Sequence, residues 1–592
     1  MSTTTLRNDI AQHFGEAVAA DDALASECIS ICQMYNISAE RLFYKWESIV
    51  YNSSQSFSLF TIKSVPELKA QIQRDITAEN AKIQKQQATS RTNTSMNSAR
   101  LGGRLGGAVK FGSSGKLDAP LKLGTPIKHP STRQGLVIKS ETDPQVAGPS
   151  KVVFQGLEND SISRKKRSYK YMYEKVSERS EVLDERIDEF MELIQTHFKL
   201  GELGDPDAST EEPVTVLGRI VRDEDASDSG AKLGDTSIVL ESSRMMGSGK
   251  RVPLRFAPNV KIRGGSKGIG GIGFFPGGIV ALHGKNGGGG WFVVDEILAL
   301  PPLKLSPAPP DRAAASFSMC IACGPFTADS DLDFKRWKSL AETLMSTKPA
   351  VVLLVGPFID EAHPRIKDGD LDETPAEIFR RHFTERLDDF LIVSPGSTVL
   401  VVPSVHDIIS DHAVFPQCEL GPDFSTDPRI RLLPNPSRFT LNGVSVAVTS
   451  VDVLFHLRKD ELFVRGEELD SLPSHAEPVN DAMASLCRNI LQQRSFYPIF
   501  PTPKGLEHEV NLDITHSEEL KLVESEDDCA PDILVLPSRL KQFAKVVDGT
   551  TVINPSFLSK GTYATLAFTG SGTGPAKERI KVEVSRLTDV QP

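Results

Sequence analysis

Apolar side chains recur three and four residues apart through the first 85 residues. The stretches "LRNDIAQHFGEAV", "ALASECISICQMYN" and "SAERLFYKWESIVYN" each carry this spacing, which predicts amphipathic helices folding as a small bundle over residues 1–85. Asp22, Asn36 and Ser38 stand where caps and breaks are expected. A small helical unit set apart by a linker is expected to recruit partners rather than perform chemistry.

The periodicity lapses over residues 86–165, where Ser, Thr, Gly, Gln and Lys dominate and aromatics are few. Such a segment buries too little apolar surface to offset its ordering entropy, so a disordered linker is expected. Helical spacing returns over 166–205: Tyr169, Met172, Val176, Leu183, Ile187, Phe190 and Ile194 form one stripe, with room for a bend at Ser180.

From 206 to 305 the period becomes two. "VTVLGRIVRD", "TSIVLESS", "KRVPLRF", "FFPGGIVALHGKN" and "WFVVDEIL" read as five short strands between glycine-rich turns, as in a small oligonucleotide-binding (OB) type barrel. Phe274, Phe275, Trp291 and Phe292 lie in apolar runs and read as core, so the barrel is expected to contact protein rather than DNA. "GIGGIG" at Gly268 to Gly273 has the GxGxxG form but no helix after it to receive a pyrophosphate, and "GKNGGGG" lacks phosphate-loop spacing. Both read as loops, and no cofactor is expected.

Residues 316–580 alternate strands ("SFSMCIAC", "AVVLLVG", "STVLVVPS", "VSVAVTSV", "DILVLPS", "TTVINPS") with helices ("DFKRWKSLAETLMST", "AEIFRRHFTERLDDFL"). The strands are near-continuous apolar runs, which predicts a layered α/β domain with sheets covered on both faces. The fold class is therefore multidomain α+β: helical bundle, basic linker, helical lead-in, barrel and layered domain.

Charge adds an asymmetry. Residues 82–170 hold 17 Lys+Arg against 5 Asp+Glu, which leaves −23 on the remainder of a chain whose total is −11. An acidic body is poorly suited to gripping phosphates, so DNA contact is expected to be weak or indirect and confined to the linker. Within that linker "TPIK" places Thr125 before a proline with Lys128 following, a candidate phosphorylation site, and Arg164, Lys165, Lys166 and Arg167 form a candidate nuclear import signal. Seven scattered cysteines fit a reducing compartment and mostly read as small buried hydrophobes, "CIAC" at Cys320 included. No apolar run reaches the ~18 residues of a membrane span, and no signal-peptide core is evident, so no membrane contact is expected.

In an α/β domain chemistry sits on the loops after the strands. Those loops read Cys323-Gly324-Pro325, Gly356-Pro357, Ser404-Val405-His406-Asp407 and Pro537-Ser538-Arg539-Leu540, followed by Asn554-Pro555-Ser556. Their order resembles the calcineurin-like metallophosphoesterases, whose DxH, GDxxD, GNH[DE] and GHxH loops hold two metals. That resemblance makes Cys323, Gly324, Pro357, Val405, His406, Asp407, Ser538 and Leu540 the degenerate metal-site positions, with only His406 and Asp407 of ligand type. It implies an inactive phosphoesterase domain, not an enzyme and without metal, in which an imidazole–carboxylate hydrogen bond holds the His406–Asp407 turn. His363, Asp360 and Asp368, near the second loop, read as surface residues.

A barrel ahead of a degenerate phosphoesterase domain resembles the B subunits of eukaryotic replicative DNA polymerases. "RSYKYMYEKVSERSEVLDERID", "FFPGGIVALHGKN" and "ACGPF" resemble the polymerase alpha branch in particular. This implies a nuclear, noncatalytic scaffold subunit that binds the C-terminal domain of the polymerase alpha catalytic subunit; the alternatives are a B subunit of another replicative polymerase and a single-strand-binding OB protein. Primase subunits would join through the complex, and other replication factors through the N-terminal helices.

Overall fold

The computed structural model describes residues 3–69, apart from short stretches within 16–20, 36–38 and 53–67, and residues 152–587, apart from 159, 168–174, 224–231, 307–314, 473–480, 524–527 and 571–573. The chain divides into two compact units, residues 1–137 and 138–592. In the first, helices Thr3–Phe14, Asp22–Tyr35 and Ala39–Asn52 share a core of Ile10, Leu24, Cys28, Ile31, Leu42 and Trp46. The second helix is capped by Asp21 rather than Asp22: its Oδ1 accepts from the Ala23 and Leu24 N–H groups at 3.1 and 3.3 Å. Thr125, and the linker as far as residue 151, lie outside the described residues.

The second unit begins earlier than the sequence reading put it. Phe154–Gln155 pairs antiparallel with Leu441 and Thr440, and Phe154 stacks on Phe439 at 5.6 Å with the Arg431 guanidinium 4.6 Å above its ring. A short helix, Ser161–Arg167, follows. Helix Val176–Phe198 then runs unbroken through Ser180, where a bend was expected, and Val176 is 85% exposed rather than part of the stripe. Tyr169 and Met172 lie outside the described residues, and among the described positions of the stripe Ile187, Phe190 and Ile194 are the buried ones, against Leu217, Ile279, Ala281 and Leu298 of the barrel.

Strands Val214–Arg222, Ile238–Glu241, Arg251–Arg263, Ile279–Lys285 and Phe292–Leu298 close into the barrel. Closure is made by parallel pairing of Arg251–Arg263 with Phe292–Leu298, which removes the free edge. Phe274, Phe275 and Phe292 are core as expected, but Trp291 is only half-buried. "GIGGIG" also departs from the loop reading. Gly271–Phe274 is a strand paired with Leu462–Arg465 of the following domain, and Glu467–Leu469 extends the barrel alongside Lys261–Arg263. Glycine is required at 271 because a Cβ would stand 2.3 Å from the Phe463 ring.

Beyond residue 316 two six-stranded sheets face each other. One runs in the order Ile430–Leu432, Thr398–Val402, Val351–Val355, Phe317–Cys323, Thr562–Phe568, Ile580–Arg586, the last strand extending past the predicted boundary at 580. The other runs Phe154–Gln155, Ser437–Leu441, Val444–Val448, Ile533–Val535, Thr550–Asn554, Phe543–Val547. Met319, Ile321, Leu353 and Leu400 meet Val446, Val448, Val535 and Ile553 between the sheets. On the outer faces, Val352 and Leu354 pack on Trp337 and Phe383, while Ala447 and Leu534 pack on Leu454 and Ile490. Burial on both faces is why these strands read as unbroken apolar runs. The helix read as "AEIFRRHFTERLDDFL" contains a wider turn at Arg380–Thr384. It places His382 under the Phe334 ring at 4.6 Å, where the His382 carbonyl accepts from Trp337 Nε1 at 2.7 Å.

Candidate functional site at the strand ends

The strand-end loops named from sequence do meet, in a closed belt of contacts. A Cβ on Gly324 would lie 2.0 Å from the Pro357 carbonyl oxygen, so only glycine lets the first loop lie against the second. A Cβ on Gly356 would lie 2.2 Å from Asp407 Oδ2, which packs the second loop against the third. From there buried amides carry the belt onward. Gln417 Nε2 donates to the Ser404 carbonyl at 2.9 Å, Asn435 Nδ2 donates to Gln417 Oε1 at 3.3 Å, and Asn435 Oδ1 accepts from Ser450 N at 3.0 Å. Asp452 Oδ2 accepts from Arg539 N at 2.8 Å, and Asn554 Oδ1 accepts from Ser538 N and Ser556 N at 3.0 and 2.9 Å. The Ser559 N–H donates to the Pro325 carbonyl at 2.8 Å and closes the ring.

Asp407 is at its centre on one side. It is buried, and its two oxygens accept from three backbone donors: Phe358 N, Ile359 N at 3.1 Å and Ser404 N at 2.8 Å. Burial pushes its pKa up to about 7, opposed by those three bonds. With both oxygens spent on the backbone, Asp407 is a structural acceptor. The imidazole–carboxylate bond expected within the turn is therefore corrected: His406 is half-exposed and its Nδ1 lies 3.3 Å from Glu361 Oε1 instead. His363 is likewise no surface residue. It is buried, with Nε2 3.1 Å from the Ala328 carbonyl, because it begins a short helix, Pro364–Lys367, that folds over the first loop. Asp360 is half-buried with its pKa raised by burial, and Asp368 is exposed as expected.

The remaining positions follow the same pattern. Cys323 faces the core between the sheets, Val405 and Leu540 pack into the second domain's other core, and the buried Ser538 hydroxyl accepts from Leu540 N at 3.1 Å. Among the described residues, no three His, Cys, Asp or Glu side chains are grouped to hold a metal ion. Five cysteines are buried, and Cys418 and Cys529 are half-buried.

Sequence reasoning missed one polar cluster beside the belt. The fully buried His456 has Nδ1 2.8 Å from the Tyr497 hydroxyl and Nε2 3.2 Å from Glu509 Oε2. Arg539 bridges Glu509 and Asp452. Burial would raise the Glu509 pKa, but His456 and Arg539 overcome it and hold it at about 2. Arg539 follows Ser538 in the fourth loop, and that position was the available signal. Gln417 and Asn435 had none.

The basic run is placed as well. Arg164 Nε lies 3.1 Å from Glu419 Oε1 and Arg167 Nη2 2.7 Å from the same atom, while Lys165 is exposed.

A family model for the B subunit of DNA polymerases alpha and epsilon matches residues 319–545, and one for the OB domain of the DNA polymerase alpha B subunit matches residues 180–300. A Schizosaccharomyces pombe protein, named as the B subunit of DNA polymerase alpha, is 32% identical over 570 residues, 91% of this chain and 92% of its own. Proteins of the same name from Saccharomyces cerevisiae and Bos taurus are 30% and 28% identical over 67% and 64% of this chain, spanning 59% and 57% of theirs.

Proposed function

This chain belongs to the family of DNA polymerase alpha B subunits, and from that premise we propose that it is the noncatalytic scaffold subunit of a polymerase alpha–primase complex. In this reading the barrel and the two-sheet domain, an inactive calcineurin-like phosphoesterase, bind the C-terminal domain of the catalytic subunit and support RNA–DNA primer synthesis in the nucleus. Primase is held through the complex, and the N-terminal helices recruit further replication factors. Thr125 is the phosphorylation site that adjusts the tether.

The observation that supports it is the belt of loop-to-loop contacts. Two metals ~3.5–4 Å apart need about six ligands with free lone pairs. Here Gly324 and Gly356 are pressed against Pro357 and Asp407, and the Asp407 oxygens accept from the backbone. The loops are shaped for rigidity, which suits a platform.

Co-expression of the full chain with the C-terminal domain of a polymerase alpha catalytic subunit should yield a one-to-one complex by size-exclusion chromatography with mass determination. Two separate peaks would remove the scaffold reading. For import, Arg164 and Arg167 would have to leave Glu419, so Glu419→Ala is expected to raise nuclear accumulation of a tagged full chain. Unchanged accumulation after replacing Arg164, Lys165, Lys166 and Arg167 together would dismiss the signal.

A further inference from the structure

We propose that the outer face of the barrel around Trp291 is a stacking site for single-stranded nucleic acid. The Arg255 guanidinium lies 3.7 Å from the centroid of the half-buried Trp291 ring. Arg255 and Lys285 are both in register with Val293, one from each neighbouring strand. Side chains opposite one another across strands emerge on the same face, so an exposed arginine and an exposed lysine flank one strand just beyond the indole.

The charges on this face are available. On the same strand as Arg255, Arg251 shares Glu241 with Arg219, and Arg263 is paired with Glu296 and Asp470. Among the described residues neither Arg255 nor Lys285 forms an ion pair. The loop beside them, Gly287 to Gly290, is exposed, and Gly288 and Gly290 adopt φ of +81° and +78°. Its base is anchored by Asn286, whose Nδ2 donates to the Pro206 carbonyl at 3.1 Å and whose Oδ1 accepts from Gly288 N at 3.0 Å. A firmly based lip of glycines lets a ligand backbone approach without meeting a Cβ.

A flat cation–π stack, two cations and a glycine lip suit a base together with its phosphates. An acidic peptide offers the charge but no planar group for the stack. Asp295, exposed four residues along from Trp291, limits the site to a short contact of one or two nucleotides. This local contact coexists with an acidic body because affinity there rests on stacking as much as on phosphate neutralisation. It does not rest on the catalytic-subunit reading, since neither outcome of the co-expression test bears on it.

The test is fluorescence anisotropy with a labelled 10-nucleotide oligo-dT on the full chain, at low and near-physiological salt. Arg255→Ala and Trp291→Ala should each weaken binding roughly 10-fold, within the ~5–150-fold that one stacked base commonly provides. Arg255→Lys, which keeps the charge and loses the plane, should weaken it several-fold, and the exposed Lys285→Glu controls for any loss of folding in the Trp291 variant. Equal affinity for the unaltered chain and all four variants would place binding in the basic linker and overturn the proposal. So would equal displacement of the oligonucleotide by poly-glutamate of the same length.

Discussion

Asp407 concentrates more consequence than any other single side chain in the belt. Asp407→Asn turns an N–H2 toward backbone donors and leaves at least one buried N–H without an acceptor, a loss of about 1–3 kcal/mol. The difference depends on pH. Burial sets the folded Asp407 near pKa 7, against about 3.9 in an unfolded chain. A raised folded pKa contributes stability that is in place below about pH 4 and is lost as pH rises through 7. Asparagine has no such titration, so the stability gap between the two proteins should narrow from pH 5 to pH 8. A gap in urea midpoints that stays constant would show that the folded Asp407 is ionised throughout that range. His406, its chain neighbour, carries a far smaller expectation because its partner Glu361 is exposed.

At the scale of elements, the junction between barrel and second domain is a set of backbone pairings made by side chains. Gln493 Oε1 accepts from Ile279 N at 3.0 Å and its Nε2 donates to the Ile279 carbonyl at 2.8 Å, so a glutamine stands in for an adjacent strand. Gly277, at φ +93°, lies so close that a Cβ would stand 2.2 Å from Phe500 N. Gln493→Ala leaves two buried backbone groups unpaired and should cost about 2–4 kcal/mol. Hydrogen exchange at Ile279 would then quicken while exchange at Leu353, deep between the sheets, stays slow. Equal acceleration at both would mean that the junction and the sheets open as one. Helix Val176–Phe198 braces the same junction, with Arg186 Nη2 donating to the Gln493 carbonyl at 2.7 Å.

For the second unit as a whole, the exchanged strands Gly271–Phe274 with Leu462–Arg465 and Lys261–Arg263 with Glu467–Leu469 make the barrel and the two-sheet domain one cooperative body. Trp291 reports on the barrel and Trp337 on the second domain. In full chains keeping one of these tryptophans each, with the others changed to phenylalanine, both fluorescence transitions should fall at the same urea concentration. Separate midpoints would show independent folding units and weaken the case for a single rigid platform.

Much of this was legible before any fold was known, and the residues show why. The five barrel strands, the helix Lys335–Thr347 and the six expected sheet strands follow from side-chain periods of 2 and 3.6, which backbone geometry imposes locally. Gln417 and Asn435 carried no recognised role, because each acts on groups of a loop that only the fold brings near. Trp291 misled for a related reason: it adjoins an apolar run, yet the strand turns its ring outward against Arg255. His363 reads as a surface residue, and nothing local points Arg164 and Arg167 to Glu419, because the partners, the Ala328 carbonyl and Glu419, lie far along the chain. The sequence by itself thus determined the order and type of the elements, and which strand ends would carry the loops. Only the tertiary structure decided that those loops close on one another, because their bonds join backbone groups whose separation no local pattern encodes.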